Sequence, residues 1–248
     1  MHRFYLPPEH CKGSSLLLTG GEAHHAVRVL RLRRGDEVVV LDGVGSEFFC
    51  TVQDGGRDSV QLIVTKKNST PAQSFQITLL QAVPKGKIIE SLIQKAVELG
   101  VHRVVPLLTE RVVTRLEGDD AAHKAEKLQH IAIEAIKQCG SPWLPKIETP
   151  MTPAEFLARG EKFELPLIAS LQSGSRNARE YFQDFQSEHG RKPATVCVWV
   201  GPEGDFTAEE VRAVQASGAA PITLGRLVLR VETAATYCLS ILNHELQA

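Results

Sequence analysis

The sequence predicts an α/β protein in which a small β domain precedes a larger domain built on a parallel sheet. Residues 1 to about 70 contain short apolar runs separated by glycine turns, which is typical of a small barrel. From Phe75 onward, strand-like and helix-like segments alternate, which predicts a mostly parallel sheet covered on both faces. Residues 66–74 are polar, contain a proline and have no periodicity, so they form the predicted linker. We therefore expect domains at residues 1–70 and 74–248.

The overall composition excludes several classes of protein. The 248 residues carry a formal net charge of -1, so a globally basic nucleic-acid binder is excluded, although a local basic patch is not. No stretch approaches the roughly 18 apolar residues of a membrane span, and the first residues lack the apolar core of a secretory signal. The five cysteines are scattered and contain no C-x-x-C pair, which disfavours a disulfide framework or a zinc cluster. We expect a cytoplasmic protein with no membrane association.

The first domain is predicted to be β-rich with one helical exception. Strands are expected within residues 33–43 and at 47–52 and 59–64, and a helix is expected at 21–32. Between residues 21 and 34 there are four arginines (Arg28, Arg31, Arg33 and Arg34) against one acid, Glu22. This segment is either a phosphate-binding patch or a solvated amphipathic helix, and the pattern alone leaves both open.

The second domain is predicted to alternate strands and helices. Strands are expected at residues 75–82, 103–108, 165–171 and 195–199, with a further short one ending near 223. Helices are expected at 85–99, at 121–139, from about 153, around 181–185, at 207–218 and at 232–246. Two of them begin with capping boxes, Thr152 with Glu155 and Thr207 with Glu210.

Two glycine-bearing turns near the C-terminus are the strongest indication of a ligand site. The sequence GPEG at residues 201–204 follows one apolar strand, and LGRLVLRVET at residues 224–233 follows another. Parallel strands end at the same edge of a sheet, which is where α/β proteins bind ligands. Neither turn is a G-x-G-x-x-G dinucleotide fingerprint or a P-loop. The alternative is that the turns are only tight connections.

Arg230 and Glu232 are charged residues among apolar neighbours at the second turn. Burying a charged side chain is costly unless it is paired with an opposite charge or contacts a substrate. One interpretation is an ion pair of Arg230 with Glu232 or Glu203 that fixes the loop. The other places Arg230 against negative charge that develops on a substrate, and both can hold together. His24 and His25 lack further ligands at metal-binding spacing, so no metal site is predicted.

The chain resembles a known family at several short motifs. They are HAVRVLR at 25–31, KGK at 85–87, QKAVELGV at 94–101, TER at 109–111, QCG at 138–140, GPEG at 201–204 and LRVETA at 229–234. With these motifs the chain resembles, nearly end to end, the bacterial 16S ribosomal RNA (uracil-N3) methyltransferases, the small-subunit methyltransferase E family of the SPOUT superfamily. Two positions depart from the family pattern. Leu227 stands where the family usually has arginine, and Ser141 stands where it has a basic residue.

The resemblance implies a PUA-like RNA-binding barrel followed by a SPOUT domain with a deep trefoil knot. It also implies S-adenosylmethionine as methyl donor, an obligate homodimer, and no metal. The expected substrate is N3 of a specific uridine in the 16S ribosomal RNA of the small subunit. Two rival hypotheses are a non-catalytic RNA-binding assembly factor and a methyltransferase with another target, such as the ribose 2′-O of a tRNA.

The resemblance also assigns roles to residues. Arg230 is expected to stabilise the deprotonated uracil, and Glu232 or Glu203 to orient Arg230 or accept the proton. We expect Arg230 and Glu232 to be catalytic, and Arg28, Arg31, Arg33, Lys85, Lys87 and Arg111 to bind RNA. The expected cofactor-binding residues are Leu171, Val200, Gly201, Pro202, Glu203, Gly204, Leu224, Gly225, Val228, Leu229 and Thr233.

Overall fold

The chain divides into two units, which are described separately. The structure is a computed structural model that describes residues 1–56, 58–111, 119–170 and 174–247. The first unit comprises Met1–Ala72 and Ile133–Leu144, and the second comprises Gln73–Ala132 and Pro145–Ala248.

The first unit is built on a curled five-stranded sheet, a half-barrel. Its inner face packs a core that includes Phe4, Leu18 and Val40, each with no exposed surface. β1 pairs parallel with β3, and the other pairs are antiparallel, in the order β1-β3-β4-β5-β2. The strands are β1 (His2–Tyr5), β2 (Ser15–Thr19), β3 (Glu37–Leu41), β4 (Ser46–Gly55) and β5 (Ser59–Ser69).

The single helix expected at residues 21–32 is two short helical pieces. α1 covers Gly20–His24 and continues into a π-helix at His25–Val29. A separate 3-10 turn at Pro8–His10 lies between β1 and β2. The wider turn is visible where the amide of Leu30 donates to the carbonyl oxygen of His25 at 3.0 Å. Arg31 then adopts a left-handed backbone (φ 54), which stops the helix. The last helical residue is Val29, three residues before the predicted helix end at residue 32.

Three details of the first unit differ from the sequence prediction. β1 and β2 were not predicted, and residues 66–69, assigned to the linker, instead belong to β5. The reason is local. Lys66 and Lys67 pair with β4, and their ammonium groups lie 5.6 Å and 4.9 Å from the ring centres of Phe49 and Phe48. Lysines that cover aromatic rings in this way form a strand without an apolar repeat.

The second unit contains a six-stranded parallel sheet, which confirms the predicted α/β class. Its strand order is β11-β9-β10-β6-β7-β8, and every pair is parallel. The carboxyl ends of all these strands therefore lie at one edge. The strands are β6 (Gln76–Ala82), β7 (Arg103–Leu107), β8 (Lys146–Ile147), β9 (Leu165–Ala169), β10 (Thr195–Val200) and β11 (Ala220–Ile222).

Helices of the second unit cover this sheet. Phe156 from α4 and Val211 from α6 pack with Trp199 of β10, whereas α7 packs against β6, β10 and α2. Both predicted capping boxes are present, at Thr152 and Thr207. The helices are α2 (Ile88–Glu98), α3 (Asp119–Cys139), α4 (Pro153–Ala158), α5 (Ala178–His189), α6 (Ala208–Ala216) and α7 (Val231–Gln247). The end of α3, from Ile133 onward, belongs to the first unit.

A buried carboxylate directly after β8 makes a testable contribution to stability. Glu148, 7% exposed, accepts hydrogen bonds from Arg103 at 3.2 Å and from Arg159 at 2.6 Å. Burial alone would raise the pKa of Glu148, but the Arg159 hydrogen bond and the charges of Lys146 and Arg103 hold it below its usual value. A depressed pKa stabilises the fold above the unfolded-state pKa, and this contribution is lost as pH falls.

We expect Glu148→Gln to lower the free energy of unfolding by roughly 2 kcal/mol, because charged hydrogen bonds to buried groups are lost. Urea denaturation at neutral pH measures this change. Glu209→Gln is the matched control. Glu209 pairs with Arg212 on the surface, with side chains 72% and 68% exposed, and its loss should cost under about 0.5 kcal/mol. Equal losses of unfolding free energy in the two variants would contradict the stabilising role of Glu148.

Candidate functional site

A cavity of about 500 Å³ opens at the carboxyl edge of the parallel sheet. It lies where β9 and β10 end and where the segment after β11 runs into α7. Ligand pockets typically have volumes of roughly 300–1,000 Å³, so this one is large enough for a drug-sized molecule. Its lining is Ile88, Ala169, Ser170, Val200, Gly201, Pro202, Glu203, Asp205, Leu224, Gly225, Leu227, Val228, Leu229, Arg230, Val231, Glu232 and Ala234.

The first wall is the loop of residues 201–206, which follows β10. The amide of Asp205 donates to the carbonyl oxygen of Pro202 at 2.9 Å, which closes a tight turn. A Cβ atom on Gly201 would lie 2.9 Å from Oδ1 of Asp205 and 3.3 Å from the backbone nitrogen of Phe206. Only glycine fits there without movement of the loop. Phe206 is buried against Trp199 and fixes the far end of the turn.

The second wall is the segment of residues 223–230, between β11 and α7. The amide of Gly225 donates to Oγ1 of Thr223 at 3.2 Å, and Gly225 has φ 108, a backbone conformation that favours glycine. After it, Leu227 and Val228 are 76% and 80% exposed. The carbonyl oxygen of Arg230 accepts the amide of Ala234 at 2.8 Å and so begins α7.

Four charged residues line the cavity: Glu203, Asp205, Arg230 and Glu232. Oε1 of Glu203 accepts the backbone amide of Lys85 at 3.0 Å. Across the described residues, Arg230, Glu203 and Glu232 form no ion pair within 4 Å, so the pairing of Arg230 considered above is wrong. Arg230 is exposed and precedes the first turn of α7, whose amides carry partial positive charge. This end of the cavity favours a ligand group that carries negative charge.

Most of the residues predicted for the site line this one cavity. Both predicted catalytic residues, Arg230 and Glu232, do so. Gly204 and Thr233 are not among the lining residues, and Leu171 lies outside the described residues. The predicted cofactor-binding residues that line the cavity are Val200, Gly201, Pro202, Glu203, Leu224, Gly225, Val228 and Leu229.

Seven lining residues were not among the predicted site residues: Ile88, Ala169, Ser170, Asp205, Leu227, Val231 and Ala234. Ala169 and Ser170 directly precede the predicted strand end at residue 171, and Ala234 directly follows the turn of residues 224–233. Asp205 is the last polar residue of the first turn and has φ 61. Ile88, at the start of α2, had no indication in the sequence because it is more than a hundred positions away from either turn.

The residues predicted to bind RNA in the second unit are exposed near this edge of the sheet. Lys85 and Lys87 lie between β6 and α2, with Lys87 directly before the helix. Arg111 follows β7, and its guanidinium donates to the carbonyl oxygens of Gly204 and Phe206. The guanidinium of Arg111 therefore contacts the first wall of the cavity.

In the first unit, the predicted RNA-binding arginines form an exposed basic segment. Arg28, Arg31 and Arg33 are exposed, and within the described part of the chain none forms an ion pair within 4 Å. The one acid of the segment, Glu22, is paired with Lys137, whose Nζ lies 2.8 Å from Oε1. Among the described residues, the charges of these arginines are therefore not paired with a carboxylate, which suits contact with phosphates.

No group of three or more potential metal ligands lies together within residues 1–56, 58–111, 119–170 and 174–247. Among those same residues, none of the helices has the length and apolarity needed to cross a bilayer.

Comparison with known families gives two matches. Residues 71–243 match the RNA methyltransferase domain, and residues 18–65 match the RNA methyltransferase PUA domain. The chain is 32% identical over 252 residues to ribosomal RNA small subunit methyltransferase E of Synechocystis sp., covering 100% of this chain and 78% of that protein. It is 29% identical to the Bacillus subtilis protein of the same name, over 92% of this chain and 89% of that protein.

Solved structures of methyltransferases are also similar to this chain. A protein from Legionella pneumophila, solved in complex with the bound cofactor SAM, superposes with a TM-score of 0.88 at 32% identity, covering 98% of this chain and 96% of that chain. A ribosomal RNA small subunit methyltransferase E from Neisseria gonorrhoeae, bound to S-adenosyl methionine, has a TM-score of 0.84 at 26% identity, covering 98% and 97%.

Proposed function

Because this chain belongs to the ribosomal RNA small subunit methyltransferase E family, we propose that it transfers a methyl group from S-adenosylmethionine to N3 of a uridine in 16S ribosomal RNA. The observation that carries the proposal is the cavity of about 500 Å³ between two glycine turns, with Arg230 and Glu232 in its lining. Two relatives of similar fold are solved with this methyl donor.

The residues of the cavity fit the donor. The crowding around Gly201 leaves no room for a side chain, so backbone can approach a ligand closely there. We propose that backbone amides at Gly201, Leu224 and Leu229 hold the adenosine end and that apolar side chains such as Val200 and Leu229 cover the base, because all of these residues line the cavity. When bound, S-adenosylmethionine supplies an electrophilic methyl group on a sulfonium.

Arg230 has the central role in the proposed mechanism. Neutral uracil carries a proton on N3 and is a poor nucleophile until that proton leaves. The resulting negative charge is shared among N3 and the two carbonyl oxygens. Arg230, unpaired in the described structure and next to the amides of the α7 N-terminus, stabilises this charge in the transition state. Alignment of the nucleophile with the methyl group lowers the barrier further.

A carboxylate of the cavity takes the N3 proton or orients Arg230. Glu203 and Glu232 both line the cavity, and Glu203 is itself held by the amide of Lys85 at 3.0 Å. Glu232 lies in the first turn of α7, where an anionic side chain is favoured. Separate Glu203→Gln and Glu232→Gln variants identify the base, because only loss of the base removes the corresponding step from the pH dependence of kcat.

The RNA is proposed to contact basic residues on both units. The proposal is supported by the exposure of five cations, which leaves them free to contact phosphates: Arg28, Arg31 and Arg33 of the first unit and Lys85 and Lys87 of the second. Family membership also supports a trefoil knot in the second unit and action on the small subunit in the cytoplasm.

The proposal includes a homodimer, supported by apolar residues next to the cavity. Leu227 and Val228 of the second wall are 76% and 80% exposed, and Tyr237 of α7 is 46% exposed. Exposed apolar side chains of this kind suit a protein contact. We expect Tyr237→Glu to shift the protein from dimer to monomer in light scattering, whereas Ala216→Glu at the exposed end of α6 leaves the dimer intact. A wild-type monomer would contradict this part of the proposal.

The activity is tested by methyl transfer. Purified protein is incubated with labelled S-adenosylmethionine and with small ribosomal subunits or, separately, with tRNA. We expect label in the small-subunit RNA and none in tRNA. Label in tRNA alone would replace the proposed substrate, and donor binding without transfer to any RNA would favour a non-catalytic assembly factor.

A further inference from the structure

Asp205, in the first wall of the cavity, has an unusual backbone. Its φ is 61, and among the described residues only Arg31 and Asp205 are non-glycine residues with positive φ. Such a conformation is strained for a residue with a Cβ atom and persists only where neighbouring groups fix it. Its own Oδ1 accepts the amide of Phe206 at 2.8 Å, which supplies one such restraint.

A second restraint comes from the segment that follows β7. Nη1 of Arg111 donates to the carbonyl oxygen of Gly204 and, at 3.5 Å, to that of Phe206. These two carbonyls flank Asp205 on either side. The stem of Arg111 also packs along the loop, because a Cβ built on Gly204 would lie 3.4 Å from its Cδ.

The residue before Arg111 is also tied to this region. The backbone amide of Glu110 donates to Oε1 of Glu210 at 3.0 Å. Oε2 of the same Glu210 accepts the amide of Thr207 in the capping box that begins α6. The segment after β7 therefore contacts the loop of residues 201–206 and the helix that follows it.

We infer that Arg111 is a positioning residue for the loop of residues 201–206 and that it acts by holding Asp205 in its left-handed conformation. This inference rests on the proposed function and changes one part of it, because the sequence assigned Arg111 to RNA binding. Asp205 and Gly201 both line the cavity. If Asp205 relaxed to negative φ, the backbone from Gly201 to Glu203 would leave the position that shapes the cavity wall.

The test compares Arg111→Ala, Arg111→Lys and the double variant Arg111→Ala/Asp205→Asn. Arg111→Ala should weaken the affinity for S-adenosylmethionine about tenfold in calorimetry, while the affinity for small-subunit RNA changes by less than about twofold. Arg111→Lys keeps a donor without the forked geometry and should fall between. Asparagine tolerates the left-handed region better than aspartate, so the double variant should recover part of the lost affinity.

Hydrogen exchange of the ligand-free protein is the second readout. Arg111→Ala should accelerate exchange of the Asp205 and Phe206 amides, and the Asp205→Asn change should slow it again. Unchanged exchange and donor affinity, or a loss confined to RNA affinity, would overturn the inference. Failure of the wild-type protein to bind S-adenosylmethionine would instead refute the proposed function, and the exchange data would still decide the role of Arg111.

Discussion

Replacing Arg230 with alanine is expected to lower kcat by about 10²–10³-fold, because removal of one preorganised donor to a developing negative charge has this effect in other enzymes. The affinity for S-adenosylmethionine should change by less than about threefold, since the interaction forms mainly in the transition state. Single-turnover methylation of small subunits with saturating donor measures the first quantity, and calorimetry measures the second.

Arg226→Ala is the matched control for this prediction. Arg226 is exposed on the same segment, four residues earlier, but does not line the cavity. Its loss should leave kcat within about twofold. If the two variants lose activity equally, Arg230 acts through general charge at the surface and not at the reacting atoms. Arg230→Lys should retain part of the activity, because the charge remains while the planar fork is lost.

Gly201→Ala is expected to weaken donor binding by about 10–100-fold, because overpacking a tight site typically costs roughly 1–3 kcal/mol. The added Cβ would lie 2.9 Å from Oδ1 of Asp205. Asp205 cannot turn away without losing the 2.8 Å hydrogen bond from the amide of Phe206. Calorimetric titration with S-adenosylmethionine measures the change, and thermal unfolding shows whether the variant folds.

Gly204→Ala provides the comparison within the same loop. A Cβ there would meet only Arg111, at 3.4 Å, an ordinary contact with a flexible side chain. Gly204 also does not line the cavity. Donor affinity should therefore change by less than about twofold. Equal losses in both variants would show that the loop tolerates no side chain anywhere, and the specific role of Gly201 would be wrong.

The sequence predicted the architecture of the second unit well because its elements have strong local patterns. α2 has an apolar face that includes Ile89, Leu92 and Ile93. Capping boxes in the sequence mark the first residues of α4 and α6. Short strands escaped prediction. β8 has two residues, and β1 and β2 have four and five.

At the site, the two walls were predictable but the contacts that shape them were not. Glycines at residues 201 and 225 mark places where the backbone must turn sharply, so the positions of the two walls can be predicted from the sequence. The left-handed conformation of Asp205 and its support by Arg111 depend on residues more than ninety positions apart. Such a long-range contact leaves no trace in local periodicity. Arg230 and Glu232 line the cavity as expected, whereas the ion pair considered for Arg230 is absent among the described residues.

The central claim is that this cavity directs a methyl group to N3 of a uridine in the small-subunit RNA. The most direct measurement digests small-subunit RNA after reaction with isotopically labelled S-adenosylmethionine and identifies the labelled nucleoside by mass spectrometry. We predict labelled 3-methyluridine at a single position, reduced by about 10²–10³-fold in rate in the Arg230→Ala variant. Label in any other nucleoside, or no label despite donor binding, would contradict the claim.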